Sequence, residues 1–381
     1  MVRFSTEICK SNKRQIIAFL LIFLVTFSFS LFFIRGREAF AHSNQSSYVV
    51  IEQSSNRILK GNNVDLRLPM ASTTKIMTAL IVLENAKLDD VVTIPKEAVG
   101  VEGSSIYLKS GEKISVKDLL YGLMLRSGND SAVALAIHTA GNVNKFVELM
   151  NKKATDLGLK NTSFKNPHGL SAKDHYTSAY DLAIIASEAM NNNVFKEIVG
   201  SKTHSVVTQN EEENRYFANK NRILYSYSGG NGIKTGYTKE AGRCLVASSM
   251  RDDMQVIAVA LNHYNYFDLC TNLMNYAHDN FKMTKVLDKN TSYKEVSVKK
   301  GKKVKSTMLY PKNDLFYPLK KDGSENLKVE IIAPNTITAP HNKETSCGIV
   351  KIYLDNCLKF EEKLYTIYSI EKKFSITDIW S

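Results

Sequence analysis

The stretch Gly229–Asn262, GGNGIKTGYTKEAGRCLVASSMRDDMQVIAVALN, decides the fold of the chain. Three of its runs are apolar, and glycine-containing or polar turns separate them, so the stretch predicts three strands. The turns are short, which favours antiparallel pairing. Far earlier in the chain, YVVIEQSSNRIL within Ser47–Val64 predicts a β-hairpin. We expect one sheet that pairs these two distant segments.

The segment between them has helical periodicity. Apolar residues recur at helical spacing in five stretches, Thr74–Asn85, Val116–Met124, Ser131–Ala140, Lys145–Leu157 and Ala179–Met190. Tyr266–Phe281 returns to the same pattern and predicts a closing helix. Strands, then helices, then strands again predict an α+β domain over residues 42–282, with an antiparallel sheet plus a helical cluster.

Beyond Lys282 the composition changes to lysine-rich turns between short β-type runs. The runs KVKSTMLY, DLFYPL, KVEIIA, GIVKIYL and KLYTIYSI predict a small all-β sandwich over residues 283–368, followed by a C-terminal tail, 369–381. Residues 285–381 hold 18 lysines against 12 acidic residues, while the whole chain has a net charge of +12. Such lysines are typical of a solvated face, but they also permit contact with anionic polymers or lipid head groups.

The overall composition excludes a disordered chain, because 44% of the 381 residues are hydrophobic and only 23% are charged. Four cysteines follow the N-terminal segment, Cys244, Cys270, Cys347 and Cys357, without any C-x-x-C pair. We expect isolated buried thiols, with a Cys347–Cys357 bridge across a hairpin as the alternative. The spacing disfavours a zinc cluster.

The N-terminus predicts export. Basic residues precede the 20-residue uncharged stretch Gln15–Ile34, and an A-x-A pattern ends at Ala41. These features are typical of a signal peptide, residues 1–41, cleaved after Ala41. The uncharged stretch is also long enough to span a bilayer, so an uncleaved anchor is the alternative. Both interpretations place the rest of the chain outside the cytoplasm and exclude nucleic acid as a partner.

Three short motifs occur in a fixed order. Ser72-Thr-Thr-Lys75 lies at a predicted helix start, where the three-residue spacing places Oγ and Nζ on one helix face. Ser127-Gly-Asn129 lies in a loop between helices, and Lys234-Thr-Gly236 lies on a predicted edge strand. Each motif alone also fits an ordinary role, such as a helix N-cap or a turn. The ordered combination of helix start, loop and strand is far more specific.

With these motifs the sequence resembles the penicillin-recognising serine hydrolases. Among them it is most similar to the low-molecular-mass penicillin-binding proteins that are serine D-alanyl-D-alanine carboxypeptidases (peptidase family S11). The stretches that carry the resemblance are Leu68–Lys75, Gly103–Ser105, Leu123–Ser131, Asn166–Leu170, Tyr176–Leu182, Gly232–Thr238 and Ala241–Val246. The resemblance implies a β-lactamase/penicillin-binding-protein-like transpeptidase domain, and the β module is similar to the family's second domain.

The resemblance also implies the reaction. Ser72 would attack the bond between the terminal D-alanines of a peptidoglycan stem pentapeptide, and water would release the acyl-enzyme, with no cofactor or metal. Lys75 is the implied general base, once burial and a second cation, Lys234, lower its pKa. Ser127 would relay the proton to the leaving amine. β-Lactam antibiotics would act as inhibitors, and the enzyme would work at the membrane's extracytoplasmic face or in the cell wall.

The implied substrate-binding set consists of five residues. Asn129 would hold the substrate amide, and Lys234 with Thr235 would fix the terminal carboxylate. Gly236 would let the peptide backbone approach the strand closely. The backbone N–H of Tyr237 would form the oxyanion hole together with the N–H of the nucleophile.

Three alternatives are weighed against this reading. A β-lactamase of class A uses a glutamate for deacylation, but no E-x-x-L-N sequence lies between the second and third motifs. A zinc-dependent peptidase is disfavoured because His168 and Asp174 lack a third ligand at useful spacing. A non-catalytic cell-wall binding protein of the same fold would have lost Ser72, Lys75 or Lys234, and all three are present.

Overall fold

The computed structural model describes residues 45–207 and 214–373. The predicted signal peptide or anchor and residues 374–381 lie outside the described residues. The helices are α1 (Lys75–Asn85), α2 (Val116–Tyr121), α3 (Asn129–Ala140), α4 (Val143–Asp156), α5 (Ala179–Ala189), α6 (Asn193–Gly200), α7 (Ile223–Ser226) and α8 (Tyr266–Asn280).

The first part of the chain contributes the strands β1 (Ser47–Glu52), β2 (Ile58–Asn62), β3 (Val91–Thr93), β4 (Lys113–Ser115), β5 (Thr203–Val206), β6 (Arg215–Ala218), β7 (Gly230–Thr238), β8 (Gly242–Arg251) and β9 (Met254–Leu261). The C-terminal part contributes β10 (Phe281–Leu287), β11 (Lys294–Lys299), β12 (Ser306–Pro311), β13 (Leu315–Lys320), β14 (Leu327–Ile332), β15 (Thr336–Thr338), β16 (Gly348–Leu354) and β17 (Cys357–Thr366).

A five-stranded antiparallel sheet, in the order β2-β1-β9-β8-β7, forms the centre of the first domain. The sheet pairs the N-terminal hairpin with the three-strand segment, which confirms the predicted pairing. Its alternating side chains face two different apolar cores. Val49 and Ile51 pack into the helical cluster, whereas Val50 packs against α8. The predicted α+β fold class, an antiparallel sheet with a helical cluster, is confirmed.

The predicted helices are present with shifted ends, and several short elements were not predicted. The helix from Val116 is regular only to Tyr121 and continues as a π-helical turn, Gly122–Arg126. Helix α6 and the β5–β6 hairpin lie in a segment whose sequence carried no clear periodicity. A side chain of this hairpin, Arg215, bonds Glu112 and the Ile106 carbonyl, so the hairpin is held by contacts with residues distant in sequence.

The C-terminal module is all β, as predicted. A six-stranded sheet, β14-β16-β17-β12-β11-β15, and the β10–β13 pair enclose a separate apolar core. The predicted boundary after Lys282 lies within β10, because Phe281 already begins a strand. Ile370, which the sequence analysis assigns to the tail, is buried in this core and pairs with His341. The module therefore extends at least to Lys373.

One arginine connects the apolar core around α8 with the core of the C-terminal module. Arg57, at the β1–β2 turn, lies between the rings of Phe281 and Tyr317, with its guanidinium 5.2 Å from each ring centroid. The guanidinium donates to the Pro318 carbonyl and to the Glu325 carboxylate. The side chains of the ion pair are only 14% and 5% exposed. This group of residues, the Arg57 clamp, attaches the module to the hairpin of the first domain.

The four described cysteines are free thiols. Cys244 and Cys270 are buried, as expected, but Cys357 is exposed and Cys347 is half-buried, so the prediction of buried thiols is wrong for the C-terminal pair. The alternative bridge is not formed either. Cys357 lies opposite Leu354 in the hairpin, whereas the Cys347 N–H reaches the Leu364 carbonyl at the other end of the strand. No helix in the described ranges is long and apolar enough to cross a bilayer.

Candidate active site

Ser72 lies in a tight 3₁₀ turn, Ala71–Thr74, that leads directly into α1. The residue before it, Ala71, has φ of +48°, a left-handed conformation that costs an alanine about 1–2 kcal/mol. Such strain is found where a site requires a particular backbone direction. The turn is also covered by β7, which packs against it from the edge of the sheet.

The ammonium nitrogen of Lys75 lies at the centre of the site. Nζ is 3.0 Å from Ser72 Oγ, 2.6 Å from Asn129 Oδ1 and 2.6 Å from the His168 carbonyl oxygen. The side chain is fully buried. The Ser72 hydroxyl and the Lys75 amine are therefore within hydrogen-bond reach of each other, a geometry that can activate a serine.

The electrostatics of the site favour a neutral Lys75. Burial lowers its pKa well below the ordinary value, and the Lys234 charge lowers it further. This is the direction predicted from the sequence. Burial also lowers the pKa of Lys234 to about 7, with a smaller contribution from Lys220. Two buried ammonium groups so close in one site are unfavourable, because each disfavours the charge of the other.

The second motif lies directly after the π-helical turn. Ser127 is buried and adopts φ of +64°, which ends this turn and lets α3 start at Asn129. Asn129 Nδ2 donates to the Glu102 carbonyl, 2.5 Å away, while its Oδ1 holds Lys75. Asn129 thus holds the Lys75 amine in place, a contact that the sequence analysis did not predict. The next residue, Asp130, is buried and accepts the Ile106 backbone N–H at 3.0 Å.

The third motif occupies β7, the edge strand of the sheet. A Cβ added at Gly236 would lie 3.1 Å from the backbone nitrogen of Ser72, so the strand and the nucleophile turn are in close contact. Lys234 is buried and donates to the carbonyl of Thr235, 3.0 Å away, and Tyr237 is 66% exposed. The strand therefore lies at the edge of the sheet, as the sequence predicted, and this edge is beside Ser72.

Two cations near this strand were missed by the sequence analysis. Lys220 follows β6, and its charge lowers the pKa values of both Lys75 and Lys234. Its own pKa is lowered by partial burial and by Arg126, which ends the π-helical turn. Lys220 and Arg126 therefore add positive charge beside Lys234, which suits this part of the site to a ligand carboxylate.

The loop Asn166–Leu170 packs against the Ala71–Thr74 turn and the start of α1. The Pro167 carbonyl accepts from Thr78 on α1 at 2.6 Å, next to the Lys75–His168 bond. Gly169 has φ of +90°, and a Cβ there would lie 1.9 Å from the Ala71 carbonyl oxygen. Only glycine satisfies both the conformation and the contact.

We expect Gly169→Ala to lower the rate of acylation by a β-lactam at least tenfold, because the loop or the Ala71–Ser72 turn must move away. The measurement is the second-order labelling rate of folded protein. Gly141→Ala is the matched control, since Gly141 also has positive φ, +82°, but open space around it. Equal rates in the Gly169 variant and wild type would show that the contact is not transmitted to Ser72.

The disfavoured alternative, a zinc site on His168 and Asp174, gains no support from the contacts of His168. His168 Nδ1 accepts the Leu170 N–H at 3.2 Å, and burial lowers the pKa of His168 to about 3. No group of three His, Cys, Asp or Glu side chains suited to a metal ion occurs within the described ranges.

The fold and the ordered motifs define the class, a penicillin-recognising protein of the transpeptidase fold. The profile of the D-alanyl-D-alanine carboxypeptidase family (peptidase S11) matches residues 37–265, and that of the penicillin-binding protein 5 C-terminal domain matches residues 281–372. The chain belongs to the D-alanyl-D-alanine carboxypeptidase family.

Relatives and solved structures agree with this assignment. The chain is 34% identical over 345 residues to D-alanyl-D-alanine carboxypeptidase DacF of Bacillus subtilis, covering 88% of each chain. Penicillin-binding protein 5 from Haemophilus influenzae superposes with a TM-score of 0.72 at 32% identity, covering 86% of this chain and 97% of the other. A variant of a Streptomyces DD-transpeptidase gives 0.57 at 36% identity, covering 60% and 96%. These comparisons support the carboxypeptidase reading, not the β-lactamase or non-catalytic alternatives.

Proposed function

We propose that the protein removes the terminal D-alanine of peptidoglycan stem pentapeptides by a serine mechanism, with Ser72 as nucleophile. The observation that carries this proposal is the buried Lys75 Nζ, 3.0 Å from Ser72 Oγ, with its pKa lowered. A neutral amine at this distance accepts the hydroxyl proton as the Oγ–carbonyl bond forms. The N–H groups of Ser72 and Tyr237 stabilise the oxyanion, a contribution of ~3–4 kcal/mol per donor.

The tetrahedral intermediate then collapses toward the acyl-enzyme. Its carbon–nitrogen bond breaks, and the proton taken by Lys75 passes through Ser127 to the leaving D-alanine amine. Water next attacks the acyl carbonyl while Lys75 takes one of its protons. The ester bond to Ser72 Oγ then breaks, Lys75 returns that proton to Oγ, and the shortened peptide leaves with Ser72 restored. Lys234, Thr235 and the edge of β7 hold the substrate's terminal carboxylate and backbone. Asn129 holds its amide.

The test is mass spectrometry of the purified protein incubated with penicillin and, separately, with a pentapeptide ending in D-Ala-D-Ala. We expect a stable penicilloyl adduct on Ser72, release of one D-alanine and neither product from Ser72→Ala. Rapid hydrolysis of penicillin without D-alanine release would instead identify a β-lactamase. Absence of both reactions in folded wild-type protein would support a binding protein.

The lowered pKa of Lys234 predicts an alkaline limit to activity. Its ammonium binds the substrate carboxylate, so as pH rises above about 7 the proton is lost and kcat/KM falls. Lys234→Arg keeps the charge at all accessible pH values. We expect the alkaline limb to move to higher pH in this variant, because the guanidinium stays protonated where the Lys234 amine does not.

The measurement is kcat/KM for a D-Ala-D-Ala peptide between pH 6 and 10. Lys294→Arg is the control, since Lys294 Nζ donates to the Ala333 carbonyl in the module, 2.6 Å away, and should leave the profile unchanged. An alkaline limb that stays in place in a folded, active Lys234→Arg protein would assign it to another group.

We further propose that the protein is exported and works at the membrane's extracytoplasmic face or in the cell wall, and that its lysine-rich module contacts anionic wall polymer. A cavity of about 610 Å³ on the module supports wall polymer over a membrane surface. Tyr310 and Tyr365 are cross-strand neighbours beside it, and aromatic faces suit sugar rings. Lys289 and Lys343 also line it, and neither forms an ion pair within the described part of the chain.

We expect Lys289→Glu/Lys343→Glu to reduce cosedimentation with isolated peptidoglycan several-fold at low salt, without changing hydrolysis of a soluble pentapeptide. Lys87→Glu/Lys160→Glu changes the net charge equally on the first domain and is the matched control. Equal losses for both double variants would indicate a general charge effect. Weaker binding of the module variant to anionic vesicles, with cosedimentation unaffected, would point to the membrane instead.

A further inference from the structure

A chain of three hydrogen bonds connects Lys165, just before the loop Asn166–Leu170, to the Ala71–Thr74 turn. The Lys165 backbone nitrogen is 3.0 Å from His175 Nδ1, His175 Nε2 is 2.9 Å from Thr74 Oγ1, and Thr74 Oγ1 is 2.8 Å from the Ala71 carbonyl oxygen. His175 is 5% exposed and Thr74 is 1% exposed. None of the residues in this chain of bonds belongs to the substrate-binding set proposed above.

The chemistry of the groups fixes the direction of every bond. A backbone N–H can only donate, so His175 Nδ1 is an acceptor. Burial lowers the pKa of His175 to about 4, so its ring is neutral near pH 7 and carries its one proton on Nε2. Nε2–H therefore donates to Thr74, which leaves the threonine hydroxyl proton for the Ala71 carbonyl. All three bonds are satisfied by a single tautomer.

The last bond determines where the Ser72 N–H points. The Ala71 carbonyl and the Ser72 N–H belong to one planar trans peptide, so they point in opposite directions. Fixing the carbonyl therefore fixes the N–H. Ala71 holds an unfavourable left-handed conformation, and a freed peptide plane would rotate toward a more favourable one.

We propose that His175 is a positioning residue that, through Thr74 and the Ala71 carbonyl, orients the Ser72 N–H as an oxyanion-hole donor. The proposal rests on the serine mechanism proposed above. It explains why a polar histidine and a polar threonine are both fully enclosed beside α1. His175 should therefore affect the rate constant of acylation and not the binding of the substrate, because the oxyanion develops only as Ser72 attacks.

The test is the pre-steady-state kinetics of penicillin acylation, which separates the dissociation constant of the first complex from the acylation rate constant. We expect His175→Ala and Thr74→Val each to lower the rate constant 10- to 100-fold and to change the dissociation constant less than threefold. The double variant should lose little more than either single variant, because both remove the same chain of bonds.

His175→Gln is the conservative variant. A glutamine amide can accept from the Lys165 N–H and donate to Thr74, so we expect it to recover most of the rate. His278→Ala is the matched control for a merely structural role. His278 is also buried and bonds a hydroxyl, Ser249 Oγ at 2.8 Å, but it lies on α8, in the other core. The His278→Ala variant should have a lower thermal stability, and its acylation rate constant should stay within twofold of the wild-type value.

Three results would overturn the proposal. Acylation of folded His175→Ala at the wild-type rate would do so, as would a loss confined to the dissociation constant. An equal loss of rate in His278→Ala would reassign the effect to stability. If His175→Ala does not fold, Thr74→Val and His175→Gln decide the question alone. Failure of the wild-type protein to acylate would reject the serine mechanism itself, a separate result.

Discussion

Replacement of Lys75 by methionine should lower the rate of penicillin acylation by about 10³-fold or more, while the protein stays folded. General-base catalysis contributes ~10²–10⁴-fold, and loss of the amine also removes the partner of Ser72 Oγ. Methionine fills most of the buried volume, so the packing around α1 is kept. The measurement is the rate of labelling by a fluorescent penicillin, with thermal unfolding as the check of folding.

Lys153→Met is the matched control for this experiment. Lys153 is also partly enclosed, but it pairs with Glu84 at the far end of α1 and with Glu188. Its variant should be acylated at the wild-type rate. Should the Lys75 variant react as fast as wild type, another group must take the Ser72 proton.

The Arg57 clamp gives the largest expected effect on stability. Arg57→Ala leaves the Glu325 carboxylate buried without its cation, and breaking such a pair from one side costs about 3–5 kcal/mol. We expect a loss of that size in the free energy of unfolding measured with denaturant. Loss of the guanidinium between Phe281 and Tyr317 adds to the effect.

Two further variants show whether burial is the cause. Arg57→Met/Glu325→Leu removes both charges and should recover most of the lost stability. Lys302→Ala breaks an exposed pair with Glu371, whose side chains are 57% and 75% exposed, and should cost less than about 1 kcal/mol. A small loss in Arg57→Ala, similar to that of Lys302→Ala, would mean that the clamp is hydrated in solution.

The pairing of β7, β8 and β9 could be predicted because the sequence features that indicate it lie close together in the chain. Strands β7, β8 and β9 follow one another with short turns, so their pairing follows from the sequence of Gly229–Asn262 alone. The β5–β6 hairpin was not predictable in this way, because Arg215 holds it through residues about a hundred positions earlier. Phe281 was assigned to a helix because its spacing fits α8, but its backbone pairs with Lys320 in a strand.

The same distinction applies to the site. Ser72 and Lys75 are neighbours on one turn, so their contact follows from spacing. Lys220 and His175 come close to the site only through the folded chain, and no short motif marks them; His168 lies in the recognised stretch Asn166–Leu170, but its carbonyl contact with Lys75 does not follow from that stretch. The pKa direction of Lys75 could be predicted, because both burial and a second cation act in the same sense.

The pairing of β1 with β9 has a consequence for the time course of folding. Strand β1, residues 47–52, can pair with the central strand β9, residues 254–261, only after the latter is synthesised about 200 positions later. At ~5–20 residues per second, the ribosome needs roughly 10–40 s to supply the partner. During this interval the hairpin has an open hydrogen-bonding edge, and long-range pairing of this kind slows folding. The nascent chain thus passes through a period of exposure to aggregation that ends only when the sheet closes.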